Sequence, residues 1–106
     1  MANRGYLGEF EQVVLLALAR LRRPAYGVEI HSEILERTGR DVSIPAVYVT
    51  LKRMERKGLV ASRVTHPRGG GRATRNYRVL PAGQEALAQS RALLERLWEG
   101  FGAERA

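Results

Sequence analysis

The chain has no cysteine among its 106 residues. That excludes a disulfide framework and any zinc site built on thiolates, and it fits a reducing compartment. Long hydrophobic runs are missing as well. The longest, Val13 to Ala19, covers seven residues, whereas a membrane-spanning helix needs ~20. The first residues are polar and include glycine, unlike a secretory leader. These features predict a cytoplasmic protein with no membrane partner. Acid is absent from one whole segment. Residues 59–80 hold five arginines and no carboxylate.

That last absence organises the charge. The net charge is +7, of which residues 59–80 supply +5, residues 1–40 supply +1, residues 41–58 supply +2 and residues 81–106 supply −1. With a pI near 10.8, a localised positive excess is the electrostatic footprint of a polyanion binder. The blander reading is an arginine-rich solvated surface. At this length one domain with a modest core is expected.

Groups for catalysis are also missing. An active site needs a nucleophile with its base, a carboxylate pair or a metal cluster. Glu29, Glu33 and Glu36 share a helical face, but such a face is usually solvated. His31 and Ser32 are neighbours that point to different sides. His31 and His66 are isolated from each other, and two lone histidines make no metal site. No enzyme activity, cofactor or metal is expected.

What is present is periodic. Leu7, Phe10, Val13, Val14, Leu18 and Leu21 recur at helical spacing over residues 7–22, and Arg22-Arg23-Pro24 ends the run. The nearly continuous apolar stretch from Val14 to Leu18 predicts cover on more than one side. A second helix is expected from Tyr26 to Thr38, with Val28, Ile30, Ile34 and Leu35 buried and Gly39 as a left-handed stop. Arg40-Asp41-Val42 is too short to classify and is a candidate to pair weakly with the later hairpin.

A third helix starts on Ser43, a good N-cap, with Pro45 in its first turn. It runs to about Lys57 and stops at Gly58. Two β-type runs follow, Leu59 to Val64 and Asn76 to Leu80, joined by the loop Arg68-Gly69-Gly70-Gly71-Arg72. No Lys-Ser or Lys-Thr pair follows these glycines, so this is a hairpin loop and not a phosphate loop. Pro81 opens a fourth helix with an apolar stripe of Ala86, Leu87, Leu93, Leu94, Leu97, Trp98 and Phe101. Leu87, Leu94 and Phe101 lie seven apart, a coiled-coil interval. The order is helix, helix, helix, strand, strand, helix.

At ~100° per residue, Ile44, Val47, Leu51 and Met54 form the core face of the third helix. Pro45, Val49, Lys52, Arg53 and Arg56 lie opposite, and Tyr48 lies on the flank. The outer face has three bases, no acid and a β-branched apolar residue at its centre. That pattern suits a helix entering the major groove. There an apolar group can touch a thymine methyl, and Lys or Arg can reach guanine edges or phosphates. Tyr48 suits a phosphate contact that positions without specifying. Taken singly, Val49 is an ordinary surface valine. In the hairpin, Arg63, Arg68, Arg72, Arg75 and Arg78 repel one another unless a polyanion is close, and the glycines let the loop approach a backbone or minor groove.

These residues together resemble the PadR family of winged helix-turn-helix transcriptional regulators, short subfamily. Leu15-Leu16-Ala17-Leu18 followed by Tyr26-Gly27-Val28-Glu29-Ile30 is similar to the family's first two helices. Ser43, Tyr48, Leu51, Met54, Glu55, Gly58 and Leu59 match its serine–small–Tyr–x–x–Leu–x–x–Leu–glutamate–x–x–Gly–Leu pattern. Arg72 to Tyr77 resembles its wing return strand, and Pro81-Ala82-Gly83 its turn into the last helix. The resemblance spans roughly residues 7–99. Leu80 replaces the family's capping threonine, which leaves the start of the last helix to Pro81 and prone to fray. Met54 replaces a leucine.

The resemblance implies a mostly α fold with a small antiparallel β-hairpin. A winged helix-turn-helix (α-α-α-β-β) spans residues 1–80, and a C-terminal dimerisation helix spans residues 81–106. It implies a homodimer on a palindromic operator of double-stranded DNA, usually as a repressor. The DNA-binding set is then Tyr26, Ser43, Pro45, Ala46, Tyr48, Val49, Lys52, Arg53, Arg68, Gly70, Arg72 and Arg75. The dimer set is Leu87, Leu93, Leu94, Leu97, Trp98 and Phe101. In some relatives a hydrophobic inducer binds at the dimer interface against a tryptophan, so Trp98 is a candidate ligand residue as well as a dimer anchor. Two other readings remain: a winged-helix module whose basic hairpin meets an acidic protein, and a sensor of planar hydrophobic compounds.

Overall fold

A computed structural model describes residues 6–102. The helices are α1 (Glu9–Leu21), α2 (Gly27–Thr38), α3 (Ile44–Arg56) and α4 (Pro81–Trp98), and the strands are β1 (Val60–Thr65) and β2 (Thr74–Val79). This is a winged helix-turn-helix with one further helix. Element order and type agree with the sequence reading, and boundaries shift by a residue or two. The first four residues of the chain lie outside the described residues.

The elements start and stop for local reasons. Ser43 accepts a hydrogen bond from the Ala46 N–H at 3.1 Å, satisfying one orphan donor of α3, and such a cap stabilises a helix by ~1 kcal/mol. Arg22 ends α1 in the left-handed region at φ 59°. Gly39 ends α2 at φ 75°. α4 begins at Pro81, and its start is held by the backbone. The Leu80 carbonyl accepts from Gly83 at 2.8 Å and Gln84 at 3.0 Å, and the Leu80 N–H donates to the Leu59 carbonyl at 2.9 Å. The missing cap is thus offset by tying both sides of Leu80.

β1 and β2 pair antiparallel, with Val60 opposite Val79, Ser62 opposite Tyr77 and Arg63 opposite Asn76. Alternation along a strand then sorts the hairpin into two faces. Val60, Ser62, Tyr77 and Val79 look toward the helices. Ala61, Arg63, Asn76 and Arg78 look away. Ala25 makes a one-residue bridge to Tyr77, with N–H to carbonyl distances of 3.0 and 2.8 Å. The short segment that pairs with the hairpin is therefore the turn before α2. Arg40-Asp41-Val42 does not pair; Arg40 instead meets Glu9 at 2.7 Å.

The core lies where α1, α2 and α3 meet the inner face of the hairpin. Val14, Leu15, Leu18, Ile30, Ile34, Val47, Leu51, Met54, Val60 and Tyr77 are buried in it. Two sequence expectations fail here. Val28 and Leu35 are exposed, because the buried stripe of α2 is Gly27, Ile30 and Ile34, and residues one or two steps off it turn to solvent. Leu16 is 53% exposed, so the apolar run of α1 is covered on one side only within a single chain. Thr50 is buried beside Leu51 and was missed as part of the α3 core face.

α4 divides along its length. Gly83, Ala86 and Ser90 are buried, and Ser90 Oγ accepts from the Leu7 N–H at 3.3 Å. From Arg91 to Gly102 every residue is exposed. The radius of gyration is 15.8 Å, against ~13 Å for a compact chain of this size, as a projecting helix requires. A Cβ on Gly83 would collide with the Leu59 carbonyl oxygen, so only glycine lets α4 come down onto the connection between α3 and β1. Gly83→Ala should lower stability by about 1–3 kcal/mol, the usual range for forced overpacking. A calorimetric or denaturant titration reads this directly, and an unchanged midpoint would refute the close approach.

Candidate nucleic-acid interface

The structure gives α3 one buried and one bare face. Val47, Thr50, Leu51 and Met54 are buried. Pro45, Val49, Lys52, Arg53 and Arg56 are exposed, Val49 to 56%. Ile44 and Ala46 are half-buried at the edges. Among the described residues, Lys52, Arg53 and Arg56 make no ion pair. Six bases elsewhere do: Arg20 and Arg37 with Glu33, Arg23 with Glu29, Arg40 with Glu9, Lys57 with Glu11 and Arg91 with Glu95. Glu29 and Glu33, expected as a solvated face, are therefore committed to ion pairs within the fold.

Three contacts fix the direction in which this bare face points. The first holds α3 to α1. Glu11 is 7% exposed, and it accepts from the Gly8 N–H at 3.1 Å and from Lys57 Nζ at 2.9 Å. Burial alone would raise its carboxyl pKa. The hydrogen bonds from Lys57 and Gly8 and the nearby charges of Lys57 and Arg53 outweigh that and hold it below the ordinary 4.5. The second contact holds α3 to the wing. Ser62 Oγ donates to Glu55 Oε2 at 2.8 Å, and Arg75 Nη1 donates to Ser62 Oγ at 3.0 Å. The third holds α3 to α2. The Tyr48 ring lies on the backbone of Gly27, where a Cβ would overlap it.

These contacts revise the meaning of several predicted residues. Ser43 acts first as the cap of α3. Tyr48 is half-buried and packs on Gly27, so its ring has a structural role. Tyr26 caps α2 as a backbone, its N–H donating to Glu29 Oε1 at 3.1 Å. Arg75 is engaged by Ser62 within the hairpin. Arg68, Gly70 and Arg72 stand exposed in the loop. Gly70 has φ 97°, a conformation that side chains rarely tolerate. The structure thus brings Pro45, Val49, Lys52 and Arg53 to one face and puts Arg68 and Arg72 at the hairpin loop. Sequence reasoning missed Glu11 and Ser62. Residues 46 and 7 positions from their partners carry no local signal of pairing.

The described residues contain no group of His, Asp or Glu suited to a metal ion. Among the described residues, no helix is long and apolar enough to cross a membrane. Residues 14–89 match the transcriptional regulator PadR-like family. The chain belongs to the PadR-like family of transcriptional regulators. It is similar to Transcriptional regulator Rv3488 of Mycobacterium tuberculosis, with 43% identity over 75 residues, covering 65% of this chain and 66% of that protein. The chain thus spans just under two thirds of that relative's length. Among solved structures, a PadR family regulator from Eggerthella lenta aligns with TM-score 0.70 and 28% identity over 90% of this chain and 84% of that one. A PadR family regulator from Clostridium difficile aligns with TM-score 0.72 over 89% of this chain and 98% of that one. At 24% identity, that likeness concerns the fold alone.

The Glu11 carboxylate gives a pH signature. Its pKa is lowered in the folded chain, so the stability it contributes is present above the ordinary 4.5 and is lost as pH falls through the lowered value. Glu11→Gln should cost about 1–3 kcal/mol at neutral pH and flatten the decline of melting temperature below pH ~4.5. Equal acid slopes for the two proteins would show that the Lys57 contact contributes nothing.

Proposed function

We propose that this PadR-like regulator is a dimeric, sequence-specific DNA-binding repressor of the cytoplasm. Residues 1–80 form the DNA-binding unit and residues 81–106 the dimerising one. α3 enters the major groove, with Pro45, Ala46, Val49, Lys52 and Arg53 toward base edges or phosphates. Tyr26, Ser43, Tyr48, Arg68, Gly70, Arg72 and Arg75 support or make backbone and minor-groove contacts at the wing. The observation that carries this reading is the outward face of α3. It holds three bases with no ion pair around an exposed valine, while carboxylates elsewhere pair with other bases. Such a face is unfavourable in isolation and favourable against phosphates, whose neutralisation releases counterions.

The dimer reading rests on α4. Gly83, Ala86, Leu87 and Ser90 cover the chain's own domain. The same helical stripe continues past the edge of the core as Leu93, Leu94, Leu97 and Trp98, and Phe101 follows it. Leu97 is 72% and Trp98 64% exposed. A contiguous apolar strip of that size marks an interaction surface. Trp98 meets Phe101 edge to face at 5.8 Å, an anchor pair for a twofold contact. The exposed Leu16 of α1 supplies further apolar surface. The same aromatic pair suits a hydrophobic inducer, with Trp98 as the residue it stacks on. Two copies related by a twofold axis would read half-sites about one helical turn, ~34–36 Å, apart, hence a palindromic operator.

Replacing Lys52 and Arg53 together by alanine should weaken operator binding at least about tenfold, since one good base contact is worth ~1–3 kcal/mol. Mobility shifts with a duplex selected by the wild-type protein would measure it; retained affinity would remove α3 from the reading role. Leu97→Glu should convert a dimer at micromolar concentration to a monomer in sedimentation without loss of helix content. Should the wild-type chain itself sediment as a monomer, the dimer and the palindrome fall together.

A further inference from the structure

The hairpin has a second cationic surface that the reading face does not use. Pairing places Arg63 opposite Asn76 and Arg78 opposite Ala61, so both arginines lie on the face turned away from the core. Pro24, next to the bridging Ala25, joins them. Together Pro24, Ser62, Arg63, Thr65, Asn76 and Arg78 line an open cleft of about 470 Å³. A second cleft of about 270 Å³ shares Pro24 and Arg78 with the first and adds Arg22 and Gln84. Arg22 reaches it from the left-handed end of α1. The two clefts form one track from the hairpin to the α1–α2 turn. Among the described residues, Arg22, Arg63 and Arg78 make no ion pair, although Arg23 beside them is neutralised by Glu29 at 2.9 Å.

We propose that this track holds the phosphate backbone of duplex DNA flanking the half-site read by α3. The proposal rests on the DNA-binding reading above and extends it to DNA outside the base-reading contact. Three arguments favour a nucleic-acid backbone over an acidic protein segment. Pro24 apart, the larger cleft has no exposed aromatic or aliphatic side chain to anchor a peptide, and protein interfaces depend on such anchors. Diagonal neighbours across paired strands stand ~7–8 Å apart, so Arg63 and Arg78 can meet neighbouring phosphates on one strand. Finally, both arginines stand on the strands whose loop carries Arg68 and Arg72. Duplex DNA is stiff over ~150 base pairs, so a duplex held at that loop continues past it.

The test compares two duplexes: a site selected from random DNA by the wild-type protein, and the same site lengthened at each end by about one helical turn, ~10 base pairs. The variant is Arg63→Gln with Arg78→Gln; both side chains are exposed. The expected result is unchanged binding to the short duplex and weaker binding to the long one. On the long duplex, the slope of log K against log salt should be smaller by about 2, at ~0.9 for each phosphate no longer neutralised. Equal losses on both duplexes would overturn the proposal by putting these arginines in the half-site contact. No loss on either would also overturn it. Binding of a poly-glutamate peptide that the variant abolishes, with DNA binding intact, would assign the track to an acidic protein instead. Lys52→Ala with Arg53→Ala serves as the control, because only that variant, on the short duplex, tests the underlying DNA reading.

Discussion

Glu11 sits almost out of water, with the Gly8 N–H on one carboxylate oxygen and the Lys57 ammonium on the other. The pair joins the start of α1 to the end of α3. Its removal from one side would leave a buried charge without its partner, which is costly. The contact takes Lys57 out of service as a free base and holds α3 at its C-terminal end. Glu55 through Ser62 holds α3 to the hairpin, and Tyr48 on Gly27 holds it to α2. With these sides committed, the one remaining face of α3 is the one that carries Pro45, Val49, Lys52, Arg53 and Arg56.

The same contacts explain how charge is distributed. Several carboxylates orient bases that build the fold: Glu33 on Arg20 and Arg37, Glu29 on Arg23, Glu9 on Arg40. What is left unneutralised is concentrated on α3, on the hairpin loop and on the outer face of the hairpin. Affinity for a polyanion then follows from which arginines lack a partner, and not from the net charge alone. Arg75 illustrates the difference. It belongs to the acid-free segment, yet its guanidinium is bound to Ser62 within the hairpin.

Much of the architecture was legible from local chemistry. Ser43 with Pro45 marked the start of α3, Gly39 and Gly58 marked stops, and alternation after Gly58 marked the hairpin. The failures have a common cause. Val28 and Leu35 were assigned to the core because they are apolar, but only packing against α1 decides which ~100° of α2 is inside. Leu16 was assigned cover on more than one side for the same reason. The bridge from the hairpin went to Ala25 and not to residues 40–42, because the turn before α2 lies alongside β2. Nothing within a few residues of Ala25 signals that.

By itself the sequence determined the element order, the two faces of α3 and the segment in which positive charge goes unopposed. Each depends on neighbours within about one helical turn or one hairpin. It also carried the resemblance that the family match over residues 14–89 established. Only the tertiary structure decided which bases are free. A lysine 46 positions from Glu11 and an arginine 13 from Ser62 become neighbours through packing alone. Packing also divided the α4 stripe at Ser90, because the chain's own domain ends beneath it there.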